Sequence, residues 1–77
     1  MKEQLQAIIE AMILLPEELT IEEKIEESGH IVFEVKPAPS DMGKIIGRDG
    51  RIAKSIRTVM RGIASKEGKK ISIEFIG

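Results

Sequence analysis

The chain has 77 residues, enough for one domain (1–77) with a small core, and no cysteine, which excludes disulfides and thiolate metal sites and fits a reducing cytoplasmic setting. Phe33 and Phe75 are the only aromatic residues, too few for an exposed platform on which bases stack. The net charge of −1 conceals a division, since residues 1–35 carry nine acidic and two basic side chains and residues 36–77 four acidic and ten basic, so the second half offers a surface to an anionic partner if its basic residues cluster in space.

Leu5, Ile8, Ile9, Met12 and Ile13 recur at helical spacing and predict an amphipathic helix ending before Pro16. The apolar run Ala7 to Leu15 is too short to span a bilayer, and Glu10 interrupts it. No basic leader with a cleavage site precedes it, so no signal peptide is expected. Residues 20–27 alternate weakly, with Ile21 and Ile25 apolar among glutamates, and read as an edge strand. Ser28-Gly29 marks a turn, and Ile31, Phe33 and Val35 then alternate with Val32, Glu34 and Lys36 as a second strand, antiparallel to the first. His30 stands beside the turn without a second His or a Cys, which is poor material for a metal site.

Pro37 and Pro39 end the strand. Ser40 or Asp41 can cap a short helix in which Met42, Ile45 and Ile46 share a face, and Gly47 stops it in the left-handed conformation. A long helix is predicted from Arg51 to about Lys66. Its apolar face is Ile52, Ala53, Ile56, Val59, Met60, Ile63 and Ala64, and Arg51, Lys54, Arg57 and Arg61 are expected on the opposite side. Gly68 ends it, and Ile71, Ile73 and Phe75 alternate in a last strand. The order αββααβ predicts an α+β fold of two layers, a three-stranded mixed sheet covered by three helices, with the strands flanking the helix pair parallel.

The segment Gly47-Arg48-Asp49-Gly50 joins the two later helices. Neither glycine has a Cβ, and free N–H groups at a helix start favour anions, so a phosphate can come close to this backbone. Arg48 can add a charge-assisted contact, and Lys44, Arg51 and Lys54 stand within about a turn of the loop. Two glycines three residues apart also occur by chance. Here helices flank them, Ile45-Ile46 precede them, Ile52 follows, and basic residues surround them. Asp49 is the exception, a carboxylate where phosphates would lie, which Arg48 can neutralise or which can turn outward and cap the next helix.

The run "IIGRDGRIAKSI" resembles the signature of the KH domain family, carried here by Ile45, Ile46, Gly47, Gly50 and Ile52, and the αββααβ order is similar to its prokaryotic, type II arrangement. The resemblance covers nearly the whole chain. It implies RNA binding through a loop that clamps the backbone of about four nucleotides. The expected site is then Lys44, Ile45, Ile46, Gly47, Arg48, Asp49, Gly50, Arg51, Ile52, Lys54 and Arg57, with isoleucines flooring a short groove. The chain is also similar to small bacterial single-KH proteins of the cytoplasm, which implies RNA-level regulation, an RNA chaperone role and pairing with itself or with a larger KH protein.

Two other readings stay open. The chain can be a dimerisation or protein-interaction module with secondary RNA binding, or a binder of DNA, whether single-stranded or by a helix-turn-helix. The latter gains nothing from loop glycines. An enzyme is not expected: the acidic run of residues 17–27 has no adjacent His or Cys, no cofactor motif is present, and the G-x-x-x-x-G-K-[ST] spacing of a P-loop is missing.

Overall fold

A computed structural model describes all residues, Met1–Gly77. Helix α1 (Lys2–Glu10) precedes strands β1 (Thr20–Ile25) and β2 (Ile31–Lys36). Helices α2 (Met42–Ile46) and α3 (Arg51–Lys66) follow, and strand β3 (Ile71–Phe75) ends the order. The expected α+β architecture is present. The sheet runs β1-β2-β3, with β1 antiparallel and β3 parallel to the central β2. Register pairs Ile21 with Val35, Phe33 with Ile73 and Ile31 with Ile71, so one face of the sheet is apolar. That face meets Leu5 and Ile9 of α1, Ile45 of α2 and Ile56 and Met60 of α3 in one buried cluster around Phe33. Fully burying an aliphatic or aromatic side chain contributes about 1.5–3 kcal/mol, so this cluster sets how the helices lie on the sheet.

The other face of the sheet is charged. Glu22, Glu34 and Glu74 stand side by side in register, and Lys24 and Lys36 pair with Glu34 and Glu22 at 3.2 and 3.4 Å. Part of the acidic first half of the chain therefore lies behind the sheet, away from α2 and α3.

Three expectations change. Helix α1 stops at Glu10 and not before Pro16, although Ile13 remains buried. Asp41 caps no helix: it is fully buried, and its carboxylate accepts from the N–H groups of Leu14 at 3.1 Å and Leu15 at 2.9 Å. A helical continuation would direct those two donors to carbonyls one turn back, so the long-range bonds to a carboxylate replace the last turn of the expected helix. The first strand ends at Ile25, not at residue 27, and Ile25 is 68% exposed.

Asp41 thus ties the end of α1 to the start of α2 across 26 residues of sequence. Asp41→Ala would leave two backbone donors without partners and is expected to cost about 2–3 kcal/mol, a drop in Tm of about 10–20 °C for a domain this small. Asp41→Asn keeps one acceptor oxygen but sets an NH2 group against the other buried N–H, so it should cost about as much as the alanine, and thermal denaturation followed by circular dichroism measures both.

Candidate nucleic-acid interface

The turn between α2 and α3 requires unusual backbone at three of its four positions. Gly47 has φ 74° and ψ 179°, Asp49 φ 55° and ψ 26°, and Gly50 φ 72° and ψ 15°. Gly47 does not adopt the left-handed helical conformation expected of it. It lies in the positive-φ extended region that is essentially restricted to glycine. A Cβ there would also sit 2.6–2.9 Å from the side chain of Ile52, so two separate constraints require Gly47. Its N–H still donates to Gly43 O at 2.9 Å and closes α2 before the chain turns away.

Asp49 has the αL conformation, which Asp and Asn tolerate best among residues with a side chain. That is the backbone reason for the residue that the phosphate-clamp reading did not require. Neither expected role for its carboxylate is seen: it makes no ion pair with Arg48, and no side chain caps α3. Gly50 precedes α3 in the αL conformation, and a Cβ there would meet nothing within 4 Å. The space beside Gly50 is open to an approaching group, and the donors of the first turn of α3 have no side-chain acceptor.

Around this turn the sequence-predicted residues divide by role. Ile45 is fully buried and fixes α2 to the core, Ile46 is half-buried, and Lys44, Arg48, Arg51 and Lys54 are exposed. The ion pairs of the chain are those of Met1 with Glu3, Lys24 with Glu34 and Lys36 with Glu22. All nine basic residues from Lys44 to Lys70 therefore lack an acidic partner, which leaves their charge available to an anion.

The basic row on α3 is not opposite the core, as expected, but beside it. Arg57 is half-buried: its Nε donates to Ile73 O of β3 at 3.1 Å, and its guanidinium lies 5.1 Å from the centre of the Phe75 ring, within cation–π range. Lys54, Arg57 and Arg61, spaced three and four residues apart, form one row along the side of α3 that borders the edge strand β3. The groove between α3 and β3 thus has a cationic wall that begins at the glycine turn. The engagement of Arg57 with Phe75 was not foreseen, although the alternation of the last strand placed Phe75 on the face that α3 covers.

The other side of α3 is apolar. Ile52 and Val59 are 37% and 51% exposed and do not complete the core as expected. With Ile8 and Met12 of α1 they line a depression of about 320 Å³. Helix α3 therefore has three sectors: a buried one, a basic one toward β3 and an apolar one toward α1.

Residues 2–75 match the model of the KhpA/KhpB KH domain. A protein of Clostridium perfringens named RNA-binding protein KhpA is 45% identical over 76 residues, covering 99% of this chain and 100% of the relative. Proteins of the same name are 41% identical in Caldanaerobacter subterraneus subsp. tengcongensis, with 99% and 100% covered, and 38% identical in Chlamydia trachomatis, with 99% and 96% covered. The glycine turn between two helices, the mixed sheet and the match along the chain agree: this protein belongs to the KhpA/KhpB KH-domain family.

Proposed function

We propose that this chain acts as a single KH domain that binds single-stranded RNA. The phosphate backbone lies on the turn Gly47-Arg48-Asp49-Gly50, and a few bases enter the short groove beside Ile46. The observation that carries this reading is the turn itself: positive φ at Gly47, Asp49 and Gly50, open space at Gly50, and the unpaired cations Lys44, Arg48, Arg51 and Lys54 around it. Lys44, Arg48, Arg51 and Lys54 contact phosphates. Gly47, Ile45 and Ile52 shape the turn, and Arg57 lines the groove. The RNA-binding names of the relatives support the choice of RNA over DNA. The reading extends to work on RNA in the cytoplasm, in post-transcriptional regulation or as an RNA chaperone.

A dimer is the second part of the reading. One site for about four nucleotides is a weak reader, and pairing two sites adds avidity. The apolar sector of α3, with Val59 and Ile52 exposed beside Ile8 and Met12, favours a second copy or a KhpB-like KH protein there, because it lies on the side of α3 away from Lys54, Arg57 and Arg61, with Arg51 at its margin.

Three outcomes are expected. Contact with about three to four phosphates predicts a log–log salt slope of about −2 to −3 on single-stranded RNA, and Arg48→Asp should weaken binding and flatten that slope while Tm stays unchanged. An unchanged affinity and slope in folded Arg48→Asp would sink the loop reading, and parallel titrations with single-stranded and duplex DNA test the choice of nucleic acid. Asp49→Asn keeps a side chain that tolerates αL and removes a repulsion of about 1 kcal/mol or less, so it should tighten RNA binding by up to about fivefold. Val59→Asp should shift the chain toward monomer in sedimentation velocity at micromolar concentration, with RNA binding per chain retained at the turn.

A further inference from the structure

The far end of α3 has a second concentration of positive charge. Helix α3 has 16 residues, so its last turn lies about 24 Å from the glycine turn. There the chain reverses at Gly68 into Lys69, Lys70 and β3, beside the hairpin turn that carries Gly29 and His30. Two adjoining depressions of about 510 and 480 Å³ open at this reversal, and both are lined by His30, Gly68, Lys69 and Lys70. Arg61 and Ser65 line the larger one. No acidic side chain lines either.

A helix C-terminus ordinarily opposes an anion, because its last carbonyls are free and carry partial negative charge. Here two of them are occupied: the Lys69 N–H donates to Ala64 O at 2.9 Å and the Gly68 N–H to Ser65 O at 3.0 Å, a Schellman cap. The same reversal is held on its other side by the Ile31 N–H, which donates to Lys70 O at 3.0 Å, and by His30 Nε2, 2.7 Å from Ser72 Oγ. The two lysines therefore stand on backbone fixed to both helix and sheet, and neither has an acidic partner. The row Lys54, Arg57, Arg61 and Ser65 leads from the glycine turn into the larger depression.

We infer that Arg61, Lys69 and Lys70 form a second phosphate-contact site for RNA, reached by a strand that leaves the glycine turn and follows the groove between α3 and β3. The footprint is then longer than the four nucleotides of the turn, and the chain discriminates by RNA length. This inference rests on the proposed RNA binding at the turn, and the two are separable.

The test uses the full chain and single-stranded oligouridylates of about four and about ten nucleotides, titrated at several salt concentrations. The wild-type chain should bind the longer RNA more tightly, with a salt slope steeper by about 1.4, as two further phosphates require. Lys69→Ala/Lys70→Ala should bring the slope on the longer RNA down to that on the shorter and weaken longer-RNA binding about 3- to 10-fold. Binding of the shorter RNA should stay the same, and an unaltered Tm confirms the fold. Equal slopes for the two lengths in the wild type, or no effect of the double variant on the longer RNA, would overturn the second site. If the double variant weakens longer-RNA binding while Arg48→Asp changes neither RNA, the second site stands and the reading of the turn falls.

Discussion

The functional surface depends on the conformation of Gly47. Helix α2 has only five residues and would not persist in water by itself. It is held by Ile45 in the core and by Asp41 at its start, and it must then hand the chain to α3 without displacing either. The handover places Gly47 in positive-φ extended backbone with Ile52 packed where a Cβ would be. A side chain at this position would meet both a strained backbone, at a cost of about 1–3 kcal/mol, and an overlap with Ile52. The glycine therefore has a structural role before any ligand arrives, and Ile52 is as much a determinant of the turn as the glycines are. This separates two properties that a G-x-x-G motif runs together. Gly47 is required by the fold, whereas Gly50, with open space around its Cα, is where a group from solution can approach.

The charge division of the sequence becomes a division of space. On the open face of the sheet Glu22 and Glu34 are matched by Lys36 and Lys24, whereas the cations of α2, the turn and α3 on the other side have no acidic partners. A net charge near zero thus coexists with strong local steering, which screening weakens as salt rises. The three sectors of α3 let one helix contribute to the core, to a cationic groove and to an apolar depression.

The sequence made the element order and the bounds of α3 legible, because each rests on local periodicity and on glycine or proline boundaries, and the parallel pairing of β2 with β3 then followed from the order, since the helix pair between them forms a crossover. It was less informative wherever a distant residue decided the outcome. Nothing near Leu14 and Leu15 indicates that a carboxylate 26 and 27 residues away takes their N–H groups and shortens α1. A helical projection likewise divides α3 into apolar and polar halves. It cannot say that the arginines border β3 or that Val59 and Ile52 lie outside the core, since both depend on where α1 and the sheet edge pack. Asp49 shows the converse: it was conspicuous as chemistry, but its reason is conformational, and only dihedral angles reveal that.

Arg57 shows how the groove can bind with so few aromatic residues. Its Nε is committed to the edge carbonyl of Ile73, and its guanidinium is held over Phe75. A guanidinium has five N–H donors, so the bond to Ile73 leaves most of them for a phosphate or a base edge. The side chain has already lost much of its rotamer freedom in folding, and little more is lost when a ligand arrives. A lysine at this position would keep the charge but could not combine the fixed Nε bond, the planar contact with Phe75 and a further donor pair. If RNA lies in the groove as proposed, a single preorganised arginine supplies there part of what other RNA-binding folds obtain from exposed rings, with Phe75, half-buried, holding that arginine in place.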